Sequence, residues 1–185
     1  MALVESHMQQ LNEILATATE QIAAHFFNLP IDGGGPIYRE RVYCYEFYHQ
    51  LRILWPKQEE TDFVLNGEVD KRGHPILHRL GVDMSIPDLL VHVPGNMGRN
   101  HAIIEVKAGG NVANNPRGIE KDLVTLSVFQ TEVGYERGLY LFYGSYPERL
   151  VRGIARRLEN GPRIEVWFHR APGQSAALVD VIGGQ

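Results

Sequence analysis

The sequence predicts an α/β domain in which a mixed central β-sheet is flanked by helices on both sides, with an extra helix at the N-terminus. Three observations carry this reading. Two amphipathic helical stretches precede any strand pattern. From Thr61 onward, short runs rich in Val, Ile, Leu and Tyr alternate with helix-period segments, the pattern of a sheet with crossover helices. The chain's 185 residues, 44% hydrophobic, suit one domain around one core. That single domain, 1–185, divides into an N-terminal helix within 1–30, an α/β core over 37–170 and a tail over 171–185.

Leu11, Ile14, Leu15, Ala18, Ile22 and Phe26 recur at helical spacing and predict a helix over 11–27, closed by Pro30. Asp32-Gly33-Gly34-Gly35-Pro36 is a breaker. It lacks the lysine and the Gly-x-Gly spacing of a phosphate loop. A second helix over 38–54 turns Tyr43, Phe47, Leu51 and Leu54 inward. After the Trp55-Pro56 break a first strand is expected within 61–69, followed by a polar loop. Strands at 88–93 and 102–108 are joined by the turn signal Pro94-Gly95-Asn96. A Gly- and Asn-rich loop over 109–116 leads to a third helix over 118–133, with Ile119, Leu123, Leu126 and Val133 inward. A buried strand at 139–143, a helix at 148–159 and a strand at 164–169 follow. The tail reads as loosely held, with 178–181 able to add a short edge strand.

The formal charge of −4 gives no global attraction to nucleic acid, so any such affinity must come from a local basic patch. The single cysteine, Cys44, excludes an intrachain disulfide and fits a reducing compartment. No Cys/His cluster points to zinc. The N-terminus lacks a basic region followed by an apolar core, and no apolar run is long enough for a bilayer. A cytoplasmic protein with no membrane partner is the expectation.

The motif that carries chemistry is a pair. Sixteen residues lie between Asp88 of Ile86-Pro87-Asp88 and Glu105 of Glu105-Val106-Lys107, and each end falls in an expected strand. Residues two apart on a strand point the same way, so Glu105 and Lys107 share a face while Ile104 and Val106 project into the core. Asp88 opens the neighbouring strand, beside Glu105. Asp88, Glu105 and the Val106 carbonyl form a donor set suited to Mg²⁺ or Mn²⁺, which keeps several waters and bridges to phosphate. Lys107 would orient or help deprotonate the attacking water and offset charge on the phosphate. Against this stands the plainer reading of a turn aspartate and an exposed ion pair.

These residues resemble the PD-(D/E)XK nuclease superfamily, the restriction-endonuclease-like fold: Asp88 matches its aspartate, Glu105 its second acidic position and Lys107 its lysine. The resemblance spans about 38–143. It implies a metal-dependent endonuclease acting on phosphodiester bonds of nucleic acid, most readily DNA, in a family that includes members without catalysis. A catalytically inactive module for DNA or protein binding is the alternative. A glutamate on the helix before the first strand often completes such sites, and Glu40-Arg41 resembles the helix start of Holliday-junction resolvases. At about 100° per residue, Glu40 lies on the stripe of Tyr43, Phe47 and Leu51, whereas Glu46 lies on its flank. Glu40 is therefore the expected fourth site residue and metal ligand, with Glu46 its competitor.

Lys71, Arg72 and Arg79, with His74 and His78, make a local basic segment that would contact phosphates or serve as a solvated loop. Lys121, at the start of the third helix, is a further candidate for nucleic-acid contact. Glu68 and Asp70 would hold a second metal or sit in a charged hairpin. Gln130 shares the inward stripe of its helix, and the remaining histidines have no nucleophile partner at a recognisable spacing. A domain of this size that cuts both strands would act as a homodimer.

Overall fold

The computed structural model describes residues 2–68, 86–110, 116–156 and 161–184, with side chains from residue 9. Its helices are α1 (Ala2–Glu20), α2 (Ala24–Phe27), α3 (Glu40–Leu54), α4 (Pro116–Thr131) and α5 (Glu148–Ala155). Its strands are β1 (Val64–Gly67), β2 (Leu89–His92), β3 (Asn100–Ala108), β4 (Tyr135–Tyr143), β5 (Ile164–His169) and β6 (Ala177–Ile182). They form one open mixed sheet in the order β1-β2-β3-β4-β5-β6. The β1-β2 and β2-β3 pairs are antiparallel, β3-β4 and β4-β5 parallel, and β5-β6 antiparallel. Parallel neighbours need crossovers, and α4 and α5 supply them.

Strand alternation sorts the core into two layers. Ala102, Ile104, Val106 and Ala108 of β3, with Leu139, Leu141 and Tyr143 of β4, pack against Leu11, Leu15 and Ala18 of α1 and Tyr43, Phe47 and Leu51 of α3. Ile103 of β3, with Tyr140 and Phe142 of β4, packs against Ile119, Leu123, Leu126 and Phe129 of α4 and Val151 and Ile154 of α5. Both crossover helices thus lie on one face, as two successive crossovers of one hand and direction require.

Three expectations change. The helix expected over 11–27 is two helices, broken at Gln21-Ile22-Ala23. The break lets Ile22 stay in the core while Phe27 turns edge-on to Tyr43, Tyr143 and His169. Buried Thr19 marks it: its hydroxyl lies 2.9 Å from the carbonyls of Leu15 and Ala16 and accepts the Ala176 N–H at 2.8 Å. Strand β4 begins at Tyr135 rather than 139, because Arg137, a poor core residue by itself, is buried on Glu165. The tail contributes β6, tied back by Asp180 to Tyr146 and Arg152, each at 2.8 Å. Among the described residues no helix is long and apolar enough to cross a membrane.

Candidate functional site

Strand β2 starts at Leu89, opposite Ile104, so β3 runs on past its antiparallel neighbour. Buried backbone N–H groups need partners, and beyond that point the ladder supplies none. Two carboxylates take the places. Asp88 Oδ2 accepts the Val106 N–H at 2.8 Å, and Glu40 Oε2, from the first turn of α3, accepts the Ala108 N–H at 3.1 Å. The open end of β3 therefore gathers acidic side chains from two other segments.

Lys107 is enclosed there, with 15% of its side chain exposed. Its ammonium lies 3.1 Å from Glu40 Oε1 and 2.8 Å from Asp122 Oδ2, one carboxylate from α3 and one from α4. Asp122 also accepts the Tyr140 hydroxyl at 2.9 Å, which fixes its orientation. Burial alone would pull the Lys107 pKa down, but Asp122 and Glu40 together outweigh it and hold the group above its usual range.

Glu105 projects from the same face of β3 as Lys107 and is 6% exposed. Burial pushes its carboxyl well above the usual range, and Asp88, with which it shares a hydrogen bond, and Asp122 add to the effect. Asp88 is pushed up to about 6, first by burial and then by Glu40 and Asp122; the Val106 N–H and Lys107 oppose this. Cys44 senses the same field: burial, then Asp88, Glu40 and Glu105, push its thiol up. Four carboxyl groups, Glu40, Asp88, Glu105 and Asp122, thus gather at this end of β3, two of them on the Lys107 ammonium, with Glu105 and Asp122 buried and Asp88 and Glu40 half-buried. Like charges so placed call for protons or a cation.

Among the described residues, no three or more His, Cys, Asp or Glu side chains are arranged to hold a metal ion. Glu40 and Asp122 are engaged with Lys107, which leaves Asp88 and Glu105 as an adjacent pair. Mg²⁺ is commonly held by only one or two carboxylates plus waters and substrate oxygens, so this pair fits its chemistry. Within an extended strand the N–H and C=O of one residue point to the same edge. The Val106 carbonyl therefore faces the side on which Asp88 sits.

Asp88, Glu105, Lys107 and Glu40 are thus brought together. Glu46 is apart, accepting from the Gln50 amide at 2.6 Å. Lys121 is exposed on α4, next to Asp122 in sequence but outside the cluster. Lys71, Arg72 and Arg79, with Asp70, His74 and His78, lie outside the described residues. Glu68 stands 3.5 Å from Arg41 on the surface, a pair of small energetic weight. Gln130 donates to the Arg163 carbonyl at 3.1 Å, away from Lys107. His169 is structural: its Nδ1 pairs with the Tyr43 hydroxyl at 2.8 Å and its Nε2 with the Ala171 carbonyl at 2.9 Å. Burial lowers its pKa to about 4, with the Ala171 carbonyl opposing.

Asp122 and Tyr140 are the residues that sequence reasoning missed. A signal for Asp122 existed: it sits between Ile119 and Leu126 at i+3 and i+7 on the inward stripe of α4, where an acid is costly unless partnered. The same logic had singled out Glu40. No family model matches this chain, and no curated protein or solved structure does so either.

Proposed function

We propose that this protein is a metal-dependent nuclease with a restriction-endonuclease-like fold, hydrolysing phosphodiester bonds at the open end of β3. The observation that carries the reading is the adjacent pair of half-buried Asp88 and buried Glu105, an acidic donor set near an ammonium that two further carboxylates hold in place. The order of elements supports it too: a glutamate-bearing helix, two antiparallel strands with Asp88 just before the first and Glu105 in the second, then a helix.

Asp88, Glu105 and the Val106 carbonyl would hold Mg²⁺ or Mn²⁺, while Glu40, expected from the sequence as a further ligand, is taken up by Lys107 and the Ala108 N–H and serves the site by holding the ammonium. The ion would polarise a phosphoryl oxygen and lower the pKa of a bound water. Lys107, kept cationic by Asp122 and Glu40, is suited to orienting the water and offsetting phosphate charge rather than to accepting a proton. The Ala108 N–H and Lys107 fix the Glu40 carboxylate, and Tyr140 fixes Asp122, so the site is preorganised on rigid elements.

Purified protein is to be incubated with plasmid, linear duplex, single-stranded and branched DNA, and RNA, under each divalent ion. Cleavage is expected with Mg²⁺ or Mn²⁺ and should cease in EDTA. Ca²⁺ should allow binding with little turnover, because its looser coordination places the water poorly. Cleavage that persists in EDTA would sink the mechanism. The alternative, a nuclease-fold module without catalysis that binds DNA or protein, draws on the net charge of −4. It predicts no cleavage with any ion.

The two helix glutamates give a second test. Glu40→Gln removes a charge that faces Lys107, so cleavage should fall on the order of 10²-fold. Glu46→Gln should change it by no more than about twofold, since Glu46 meets only Gln50 among the described contacts. Parallel rate measurements on both variants decide it, and the reverse ranking would move the role to Glu46.

A further inference from the structure

We infer that Tyr38 is the positioning residue for Glu40: its ring, wedged between the backbones of Gly110 and Gly144, sets the start of α3 and hence the carboxylate that holds Lys107. The inference rests on the nuclease reading of the same site.

Helix α3 opens without a cap, because Arg39, at the N-cap, makes no side-chain cap hydrogen bond. The bonds of Glu40 to the Ala108 N–H and Lys107 can form only if that uncapped first turn is held in place by the segment before it. The segment leading into it is anchored once by the Leu29–Ile37 bridge, at 2.8 and 3.0 Å, while 31–36 is exposed. Tyr38 supplies the second anchor. A Cβ added at Gly110 would stand 2.7 Å from Tyr38 Cε2, and one added at Gly144 would stand 2.7 Å from Cε1 and 2.8 Å from the hydroxyl oxygen. Both edges of the ring therefore lie against backbone where a side chain does not fit. Tyr143 meets the ring edge-on at 5.7 Å and is itself stacked on Tyr43 at 3.9 Å, so the wedge is braced from the core.

The two glycines differ in what they reveal. Gly144 has φ +80, a left-handed conformation that favours glycine whatever lies nearby. Gly110 has no such φ, so close approach of the Tyr38 ring is the reason visible for glycine there. Gly110 follows Lys107 by three residues and Tyr38 precedes Glu40 by two. One aromatic ring thus couples the exit of β3, which carries the lysine, to the entry of α3, which carries its partner.

The test uses the full chain with Gly110→Ala, Tyr38→Leu and Glu40→Gln, singly and in pairs. Cleavage with Mg²⁺ should fall by about 10- to 100-fold in Gly110→Ala and in Tyr38→Leu, as misplacement of a site group by about an ångström does. Once Glu40 is already Gln, neither substitution should lower the rate by more than about twofold, because a residue acting through Glu40 has nothing left to act on. Urea unfolding reads the same geometry without catalysis: the midpoint shift caused by Glu40→Gln should shrink in the Tyr38→Leu background. A Tyr38 that only fills space would lower both quantities additively, and that result overturns the inference. If the wild-type chain cleaves nothing under any ion, the nuclease reading fails by itself, and the unfolding cycle still decides whether Tyr38 positions Glu40.

Discussion

Asp88→Asn is expected to lose cleavage on the order of 10³-fold and, without divalent ions, to melt above the wild-type chain. The amide keeps an oxygen for the Val106 N–H while removing a charge that burial, Glu40 and Asp122 disfavour. Between pH 3.8 and about 6 the folded chain keeps a proton on Asp88 that the unfolded chain has lost, so stability falls as pH rises through that interval. Once ionised, a carboxyl held at about 6 instead of 3.8 disfavours the folded state by up to about 3 kcal/mol. The variant should therefore gain about 1–3 kcal/mol at neutral pH, or roughly 2–10 °C in Tm for a domain of this size. The gain should fade as pH is lowered toward 4. Thermal unfolding in EDTA across that range, beside cleavage rates in Mg²⁺, checks both halves. A variant that melts lower at neutral pH would show that Asp88 is retained for the fold.

Glu165→Gln is expected to destabilise the protein by about 3–5 kcal/mol, the largest loss of stability among the changes considered. Glu165 sits at the end of the sheet away from Lys107, between β4 and β6. Its carboxylate receives Arg137 Nε at 3.1 Å and Nη2 at 2.7 Å, Arg163 Nη1 at 2.9 Å and the Trp167 indole N–H at 3.3 Å. Arg137 also donates to Asn12 of α1 at 2.6 Å, so the network ties the sheet to the N-terminal helix. Burial acts to raise the Glu165 pKa, but the bonds and charge of Arg137, then Trp167 and Arg163, hold it below 4.5. Its stabilisation is thus present above that value and is lost as pH falls through the lower folded-state value. Neutralising Glu165 alone takes the carboxylate away from a buried guanidinium. Replacing both partners, as in Arg137→Met with Glu165→Leu, removes the unpaired charge and should cost clearly less. Urea unfolding of the single and double variants measures the difference. Equal losses in both would mean that packing, not the uncompensated charge, sets the cost.

Much of the candidate site was legible because strand and helix periodicity are local. The spacing of Glu105 and Lys107 put them on one face, and the helical stripe of Tyr43, Phe47 and Leu51 put Glu40 on the inward side. On the third helix the sequence points to Lys121 as a phosphate contact and not to Asp122, yet Lys121 is exposed while Asp122 is buried against Lys107 and Tyr140. Strand β4 likewise extends beyond the apolar run at 139–143, back to Tyr135. Arg137 looks like a boundary until Glu165, twenty-eight positions on, is seen to neutralise it.

The sequence by itself determined most of the helix and strand stretches, that the sheet is mixed, that Glu105 and Lys107 share a strand face and that Glu40 lies on the apolar stripe of its helix, since each depends on the repeat of the local backbone. Only the tertiary structure decided where β2 stops against β3, that Asp88 and Glu40 take the N–H groups left over there, and that Asp122 closes on Lys107 from α4. It likewise decided that the first helix breaks, and that the edge strand the sequence allowed at 178–181 forms and pairs with β5. These depend on where chain ends, charges and apolar faces meet across the fold. A buried polar group is tolerable only beside its partner, and that partner can lie anywhere along the chain.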